Sequence, residues 1–266
     1  MISKNMIKQV RALEMKKNRR RVGLFVAEGP KVVGDMLGHY GLHALIATDE
    51  WLSGFSSGAS LPDSLEWNAD AWGTVRVTDD ELRRISFLQH PQQVMAVFAI
   101  PADSPTLSFD PSTELCLALD GVQDPGNLGT IVRIADWFGI GHILCSPDTA
   151  DAYNPKVVQA TMGSLAKVSL HYLDLDQYLC LNEGRFDVYG TLLDGSDIYS
   201  SDLGSSGLIV MGNEGNGISP SIRLKVNHRL LIPDFHDDKS AESLNVAIAT
   251  SIVCSEFRRR KYPKKS

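Results

Sequence analysis

Three short stretches carry polar residues of the kinds that active sites use, and two of them directly follow an apolar run, while a polar loop separates the third from "RLLIP". The first, "QDPGNLGTIVR", contains Asn127 and Arg133. The second, "MGNEGNGIS", places Glu214 among glycines, and the third, "SLNVA", contains Ser243 and Asn245. Amide, guanidinium, carboxylate and hydroxyl groups can orient a polar substrate and stabilise charge that develops on it. The three stretches are therefore the candidate sources of a catalytic site.

Each of these residues also has a purely structural interpretation. Arg133 lies six residues into an apolar helical pattern, where an unpaired buried charge is very costly. Its guanidinium therefore either pairs with a specific partner or extends to the surface. Asn127 can cap the helix that follows the turn at Pro125, and Ser243 can cap the last helix, as can Ser240.

The glycine-rich stretch does not match the known phosphate-binding loops. It lacks both the Lys-Ser/Thr pair of a P-loop and the G-x-G-x-x-G spacing that opens a dinucleotide-binding helix. A metal site is not indicated either, because no His-Glu-x-x-His motif occurs. His236 with Asp237 and Asp238 is only a run of neighbours in a loop. We predict no metal site.

The elements that must position these stretches alternate between strand and helix after Leu115. Such alternation predicts an open, mostly parallel sheet covered on both faces, with ligands bound at the carboxyl ends of the strands. The helix "NPKVVQATMG" has Asn154 as its cap and Pro155 at its first position. The predicted strands are "LCLALD", "HILCS", "FDVYGTLL", "GLIVMG" and "RLLIP", and the last predicted helix is "SAESLNVAIATSIVCSEFRRRK".

A smaller α/β region precedes this one. A helix is predicted over Lys4–Met15, another begins at Pro30, and "HALIAT" and "QVMAVFAI" are typical of buried strands. Three prolines and several Ser/Thr residues mark a linker. The predicted organisation is a first domain over residues 1–100, a linker over 101–114 and a second domain over 115–266.

Composition is that of a globular protein, with 43% apolar and 22% charged residues. No apolar run approaches the ~20 residues that a membrane span needs, and the basic start lacks the apolar core of a secretory signal. We expect no membrane association and a cytoplasmic protein. The four cysteines lie outside metal-ligand spacing and are predicted to be buried thiols: Cys116, Cys145, Cys180 and Cys254.

Charge is distributed unevenly along the chain. The net charge is −6, yet basic residues crowd both ends, including Lys16, Arg19, Arg20 and Arg21 near the start and "RRRKYPKK" at the finish. Two basic ends on an acidic body are expected either for a polyanion-binding surface or for solvated helix faces. Charge alone does not choose between these interpretations.

The order "LDGVQDPGNLGTIVRIADWFGI", "LIVMGNEGNGIS" and "LLIPDF…ESLNVAIATSI" resembles the three signature motifs of the SpoU family of SPOUT RNA methyltransferases. The spacing agrees through the whole second region. The first region, "NMIKQVRAL…RRRVGLFVAEGPKVVGDML", is similar to the RNA substrate-binding domain that many members carry, a fold like that of ribosomal protein L30e.

The resemblance implies an α/β fold whose parallel-sheet domain contains a deep trefoil knot, beside a small L30e-like α/β domain. It also implies S-adenosyl-L-methionine as cofactor, a homodimer formed through the knotted domain, and methylation of a ribose 2′-hydroxyl of rRNA or tRNA. The positions that match catalytic residues are Asn127, Arg133, Glu214, Ser243 and Asn245. Those expected to contact the cofactor are Thr191, Leu192, Gly212, Asn213, Gly215, Ile232, Pro233 and Leu244. Lys16, Arg19, Arg20 and Arg21 are expected to bind RNA phosphate.

Arg133 matches the catalytic arginine of the family. A guanidinium is a donor with a pKa above ~12, so we expect it to orient and stabilise rather than to accept a proton. Glu214 is expected to pair with Asn127 or Arg133. Gln159 and Thr161 stand where many members have arginine and serine, which leaves the RNA preference of that helix open.

Two alternatives stay open beside the ribose methyltransferase. The first is an RNA-binding or assembly factor that keeps the fold without catalysis, and the complete set of motif residues argues against it. The second is a base methyltransferase on a related knotted fold, against which "NEG" and "SLN" speak.

Overall fold

The structure is a computed structural model that describes residues 2–56, 69–102, 109–235 and 243–261, without the side chains of residues 55, 56 and 261. The chain divides into two compact units. The first consists of Met1–Ser104 together with Asp151–Ala166, and the second of Pro105–Ala150 together with Lys167–Ser266. A segment from the middle of the chain therefore belongs to the first unit.

The first unit has a mixed four-stranded sheet with helices on both faces. Its strands run in the order β1-β4-β2-β3, with β2 and β3 parallel and β4 antiparallel to both of its neighbours. The strands are β1 (Leu24–Glu28), β2 (Leu42–Ala47), β3 (Gly73–Arg76) and β4 (Val94–Ala99). The helices are α1 (Lys4–Ala12), α2 (Lys16–Val22), α3 (Pro30–Met36), α4 (Asp49–Ser56), α5 (Asp79–Ile85) and α7 (Pro155–Thr161), with a 3-10 turn at Ser164–Ala166.

The helix predicted over Lys4–Met15 is shorter and is followed by a second one. Leu13 ends α1, and Gly23 ends α2 in the left-handed conformation with φ 68°, which glycine adopts without strain. The helix predicted to begin at Pro30 is confirmed as α3, with Pro30 in its first turn.

Helix α7 has the predicted cap but an unexpected location. Asn154 accepts a hydrogen bond from the Lys156 backbone N–H at 2.9 Å, and Pro155 follows it. The helix packs against β1, and the preceding Tyr153 ring lies 4.8 Å from the Phe25 ring. Tyr40 Oη also donates to the Leu165 carbonyl at 2.7 Å. These contacts place α7 in the first unit, although the sequence pattern grouped it with the strands and helices after Leu115.

The second unit confirms the predicted α/β class with a parallel sheet. All six strands are parallel, in the order β10-β8-β9-β5-β6-β7. They are β5 (Leu115–Asp120), β6 (His142–Cys145), β7 (Ser169–Tyr172), β8 (Val188–Asp197), β9 (Gly207–Gly212) and β10 (His228–Leu231). The helices are α6 (Pro125–Trp137), α8 (Leu175–Leu181), α9 (Pro220–Arg223) and α10 (Val246–Lys261).

The chain reverses its direction across the sheet between β5 and β9. From β5 it adds β6 and β7 on one side, and then β8, β9 and β10 on the other. Asp120 and Gly212, at the carboxyl ends of β5 and β9, are paired neighbours. Such a switch point opens a crevice outside the strand ends, where ligands of open α/β sheets bind.

Three of the four cysteines are buried thiols, as predicted. Burial raises the pKa of the Cys116 and Cys254 thiols to about 12 and also raises that of Cys145. Cys180 corrects the prediction, because it is exposed on α8. All four are free. Within the described residues no helix is long and apolar enough to cross a bilayer.

Candidate active site

The loops after β5 and β9 and the start of α10 meet at the switch point. Asn245 Nδ2 donates to Asn127 Oδ1 at 2.9 Å, and Asn127 Nδ2 donates to Glu214 Oε1 at 2.8 Å. One residue from each of the three polar stretches therefore joins a continuous chain of hydrogen bonds. The expected pairing of Glu214 is found with Asn127.

The caps of the two helices in this site differ from those expected. Asp124, and not Asn127, caps α6, since its Oδ1 accepts from the Asn127 backbone N–H at 2.8 Å. Asn245, and not Ser243, caps α10, because its Oδ1 accepts from the backbone N–H groups of Ala247 and Ile248. Ser240 lies outside the described residues. With the cap supplied by Asp124, the Asn127 side chain is available to bind Glu214 and Asn245.

Arg133 extends to the surface, which is the second of the two possibilities open for it. It is exposed on α6, and in the described part of the chain its guanidinium makes no hydrogen bond or ion pair. One turn along the same face, Trp137 is 85% exposed. Arg133 is thus an exposed cation on the helix that also carries Asn127, and its guanidinium is available to a ligand.

The loop after β9 is a tight hairpin held by Asn213. Asn213 and Gly217 exchange two backbone hydrogen bonds of 2.9 Å. The Asn213 Oδ1 atom accepts from the backbone N–H groups of Gly215 and Asn216 at 2.9 and 3.0 Å, and its Nδ2 donates to the Gly121 carbonyl at 2.7 Å. The Asn213 side chain, predicted to contact the cofactor, is therefore used to fix this loop against the loop after β5.

The glycines of this hairpin have different reasons to be glycine. A Cβ on Gly212 would lie 2.2 Å from the Gly217 carbonyl carbon and 2.4 Å from the Ile218 nitrogen, so the loop closes only without one. A Cβ on Gly215 would meet only the Asn213 Oδ1 atom, at 3.6 Å. Contacts within the protein therefore require glycine at position 212 and do not require it at 215.

A cavity of about 520 Å³ lies at the carboxyl ends of β8, β9 and β10. Of the eight predicted cofactor contacts, all except Pro233 line it, and the catalytic candidates Glu214 and Ser243 line it too. Asn127, Arg133 and Asn245 are not part of its wall. Its size and its mostly apolar wall suit a nucleoside-sized ligand.

Several wall residues were not predicted from the sequence. Met211, Ile218, Leu231 and Val246 are apolar neighbours of the motifs, and they could have been found by extending each motif along its strand or helix. Arg223 is the one cation of the described wall, and Glu214 its one anion. Arg223 pairs with Asp194, as does Arg229 at 3.1 Å. No sequence motif signals this ion pair, because its residues come from three separate elements.

The four residues predicted to bind RNA lie in the first unit and differ in exposure. Arg20 and Arg21 are exposed and Lys16 is half-buried. Arg19 contradicts the prediction, because its side chain is 2% exposed and pairs with Asp151 at 2.6 Å. Its Nη1 atom also donates to the Leu13 and Glu14 carbonyls at 2.7 Å. It therefore cannot contact RNA phosphate in this conformation.

The basic C-terminus is also largely engaged. Arg258 donates to the carbonyls of Phe138 and Gly139 after α6 at 2.7 and 2.9 Å. Arg260 pairs with Glu256 at 2.9 Å and donates to three carbonyls between Ile198 and Ser201. Residues 262–266, like the metal candidate His236–Asp238, lie outside the described residues.

Comparison with known proteins gives these observations a common context. Residues 114–255 match the model of the SpoU rRNA Methylase family, and residues 4–96 match the MRM3-like substrate binding domain. A candidate RNA methyltransferase of the TrmH family from Porphyromonas gingivalis is 42% identical, with a TM-score of 0.84, over 98% of this chain and 99% of its own.

Two further relatives extend over nearly the whole chain. The AdoMet-bound rRNA methyltransferase from Sinorhizobium meliloti is 29% identical, with a TM-score of 0.83, over 99% of this chain and 97% of its own. The 23S rRNA (guanosine(2553)-2′-O)-methyltransferase RlmP of Bacillus subtilis is 29% identical over 95% of each chain. With more than half of its residues matched by the family model, the chain belongs to the SpoU rRNA Methylase family.

Proposed function

We propose that this protein transfers a methyl group from S-adenosylmethionine to a ribose 2′-hydroxyl of rRNA. The observation that carries the proposal is the Asn245–Asn127–Glu214 chain of hydrogen bonds, which joins the three motifs at the mouth of the cavity. Relatives that cover the chain from end to end are an rRNA 2′-O-methyltransferase and an AdoMet-bound rRNA methyltransferase.

The cavity fits the cofactor in size and in chemistry. Leu192, Ile232 and Leu244 provide apolar surface for an adenine ring, and the hairpin after β9 presents bare backbone at Gly215. When bound, the cofactor supplies an electrophilic methyl group on a positively charged sulfur. Glu214, the one carboxylate of the described wall, favours a cation in its neighbourhood.

The residues around the cavity have separable roles in this proposal. A ribose hydroxyl is barely ionised at neutral pH, so the enzyme must align it and favour charge on its oxygen. Arg133 can bind a neighbouring phosphate and donate to that oxygen, but it cannot accept the proton, since guanidinium stays protonated. Asn127 and Asn245 hold Glu214 and the start of α10 in place, and Ser243 contributes a hydroxyl to the cavity wall.

Three further features belong to the proposal. The second unit contains a deep trefoil knot, which is supported by its match to the SpoU rRNA Methylase family, and the first unit has the L30e-like fold. The protein forms a homodimer through the second unit, which is supported by the exposed Trp137 on α6 and Ile248 on α10, 85% and 53% exposed, because α6 and α10 pack together. Its compartment is the cytoplasm, which suits three buried free thiols.

The catalytic interpretation is favoured over the two alternatives. A factor without catalysis would not need both an exposed Arg133 and an intact Asn127–Glu214 pair. A base methyltransferase is disfavoured because the name of a relative that covers 95% of this chain specifies the 2′-oxygen.

The test is a map of 2′-O-methylation across rRNA and tRNA in cells with and without the protein. We expect one rRNA site to lose its mark, and the purified protein with labelled S-adenosylmethionine to restore it. An unchanged map, or a label found on a base, would contradict the proposal. Sedimentation velocity on the wild type and on Trp137→Glu checks the dimer, which the variant is expected to dissociate.

A further inference from the structure

The surface of α2 and the middle segment Asp151–Ala166 carries charge opposite to that of the whole protein. Residues 15–23 contain five basic residues and no acid. Residues 151–166 contain Lys156 and a single acid, Asp151, which is already paired with Arg19. The protein as a whole has a net charge of −6, so these two segments form a basic region that can attract a polyanion, with the exposed acids Glu14 and Asp35 at its border.

The two segments are connected by a short run of bonds. Arg19 Nη2 donates to Asp151 Oδ2 at 2.6 Å. The Asn154 backbone N–H donates to the Asp151 carbonyl at 2.9 Å, and Asn154 in turn caps α7 at Lys156. Lys156 is exposed at the second position of α7, five residues after Asp151, and Lys17, Arg20 and Arg21 are exposed on α2 itself. Both helices pack against β1.

The Arg19–Asp151 pair contributes more to positioning the neighbouring segments than to the free energy of folding. Burying an ion pair costs desolvation that is repaid only when all its polar atoms are satisfied. Arg19 Nε is buried and makes no hydrogen bond to any residue that the structure describes. The same guanidinium holds two carbonyls at the end of α1, so it fixes α1, α2 and the middle segment at one point.

We propose that Lys17, Arg20, Arg21 and Lys156 form one cationic ridge that binds the RNA phosphate backbone, with Arg19–Asp151 as the pair that positions it. The inference rests on the proposed function for the identity of the polyanion. It adds a residue from the middle of the chain, Lys156, to the substrate-binding surface. It also makes Arg19 a positioning residue rather than a phosphate contact. Phosphate contacts give affinity without sequence choice, so base selection must come from other residues.

The experiment measures how the dissociation constant for a labelled hairpin RNA depends on salt. Each lost phosphate contact lowers the magnitude of the slope of log K against log salt by about 0.7 to 0.9. Lys156→Gln is expected to lower the magnitude of the slope by the value of about one contact, and the double variant Arg20→Gln with Arg21→Gln by the value of about two. The variant that combines all three substitutions is expected to lower it by the value of about three.

Arg84→Gln is the matched control. Arg84 is exposed on α5, which packs on the Val26 face of the sheet, whereas α7 packs on the Phe25 face. The slope of log K against log salt for Arg84→Gln should equal that of the wild type. If Lys156→Gln behaves like this control, Lys156 is not part of the surface and the ridge is wrong.

Asp151→Asn tests the positioning pair, because it removes no exposed cation. We expect the slope of the folded variant to fall, with hydrogen exchange faster in α2. A lower melting temperature with an unchanged slope would reduce the pair to a structural role and overturn that part of the proposal.

Methyl transfer at saturating RNA separates this inference from the proposed function. Lys156→Gln should raise the RNA concentration needed for half-maximal transfer, whereas Arg84→Gln should leave both that concentration and the rate unchanged. A wild type that binds RNA with the expected slopes but transfers no methyl group would refute the proposed function and leave the ridge intact.

Discussion

Asn127 and Glu214, 87 residues apart in sequence, are joined by a side-chain hydrogen bond of 2.8 Å between Nδ2 and Oε1. Both residues lie on the surface side of the switch point. The other polar atom of the Asn127 amide, Oδ1, accepts a hydrogen bond from Asn245 Nδ2 at 2.9 Å. Removal of one partner therefore affects three chain segments at once.

Glu214→Gln and Glu214→Ala separate charge from position. Gln keeps an oxygen that can accept from Asn127, whereas Ala removes the bond. If position is the main role, we expect Gln to keep most of kcat/KM and Ala to lose about 10- to 100-fold, the equivalent of one charge-assisted hydrogen bond. Equal losses in the two variants would show that the negative charge itself is required. Glu214 is exposed, so both variants should keep the wild-type melting temperature.

Arg133→Ala should abolish turnover and leave the fold intact. The side chain is exposed, so its removal leaves no cavity. Loss of a donor to the developing oxyanion is expected to lower the single-turnover rate by about 100-fold or more. Cofactor affinity, measured by calorimetry, should be unchanged because Arg133 does not line the cavity. A variant with the wild-type rate would remove Arg133 from the site.

Gly212→Ala and Gly215→Ala form a matched pair in one hairpin. The first places a Cβ within 2.2 Å of backbone, so we expect loss of both the loop conformation and cofactor binding. The second meets nothing closer than 3.6 Å and should leave the melting temperature unchanged. A lower cofactor affinity for Gly215→Ala alone would show that the ligand passes close to that position. Full affinity there would place the ligand elsewhere in the cavity.

Glu28 should make the stability of the first unit depend on pH. Burial raises the pKa of its carboxyl above 4.5, although hydrogen bonds from Ser86 and Phe87 and the charge of Arg11 oppose the shift. Because the pKa of Glu28 is higher in the folded state than in the unfolded state, protonation of its carboxyl stabilises the fold. This contribution to the free energy of unfolding is complete below pH 4.5 and is lost as pH rises through the folded-state pKa. Glu28→Gln stays neutral, and its free energy of unfolding relative to the wild type should therefore increase with pH. Urea unfolding at pH 4 to 7 measures this, and a constant difference would contradict the assignment.

The sheet of the second unit could be predicted from its sequence because its central strands are buried on both faces. "LCLALD" and "GLIVMG" are continuous apolar runs, and they match β5 and β9 residue for residue. β7 was missed, since "SLHY" at the sheet edge is short and half polar. The motif residues were found because three independent stretches agreed in order and spacing, which no single stretch could establish.

Arg19 and Asn127 show why the rest could not be predicted. Five basic residues within six positions are typical of a solvated helix, and nothing local distinguishes the one that is buried against Asp151, 132 residues away. The sequence predicts Asn127 as the helix cap because asparagine and aspartate are both common cap residues and both occur in this turn. Only the structure shows that the Asp124 carboxylate accepts the capping hydrogen bond. Likewise, the apolar pattern of α7 is that of a helix that covers a sheet, but it does not show which of the two sheets. The contact between the Tyr153 and Phe25 rings identifies the sheet of the first unit.

The assembly of the first unit from two stretches of sequence has an evolutionary consequence. The polypeptide crosses between the units three times, so an exchange of residues 1–104 alone would separate Phe25 and Arg19 from their native partners Tyr153 and Asp151. A chimera made at the linker would combine a foreign partner for Tyr153 and Asp151 with the native middle segment. Residues in contact couple energetically, so substitutions at Phe25 or Arg19 are expected to covary with substitutions at Tyr153 or Asp151.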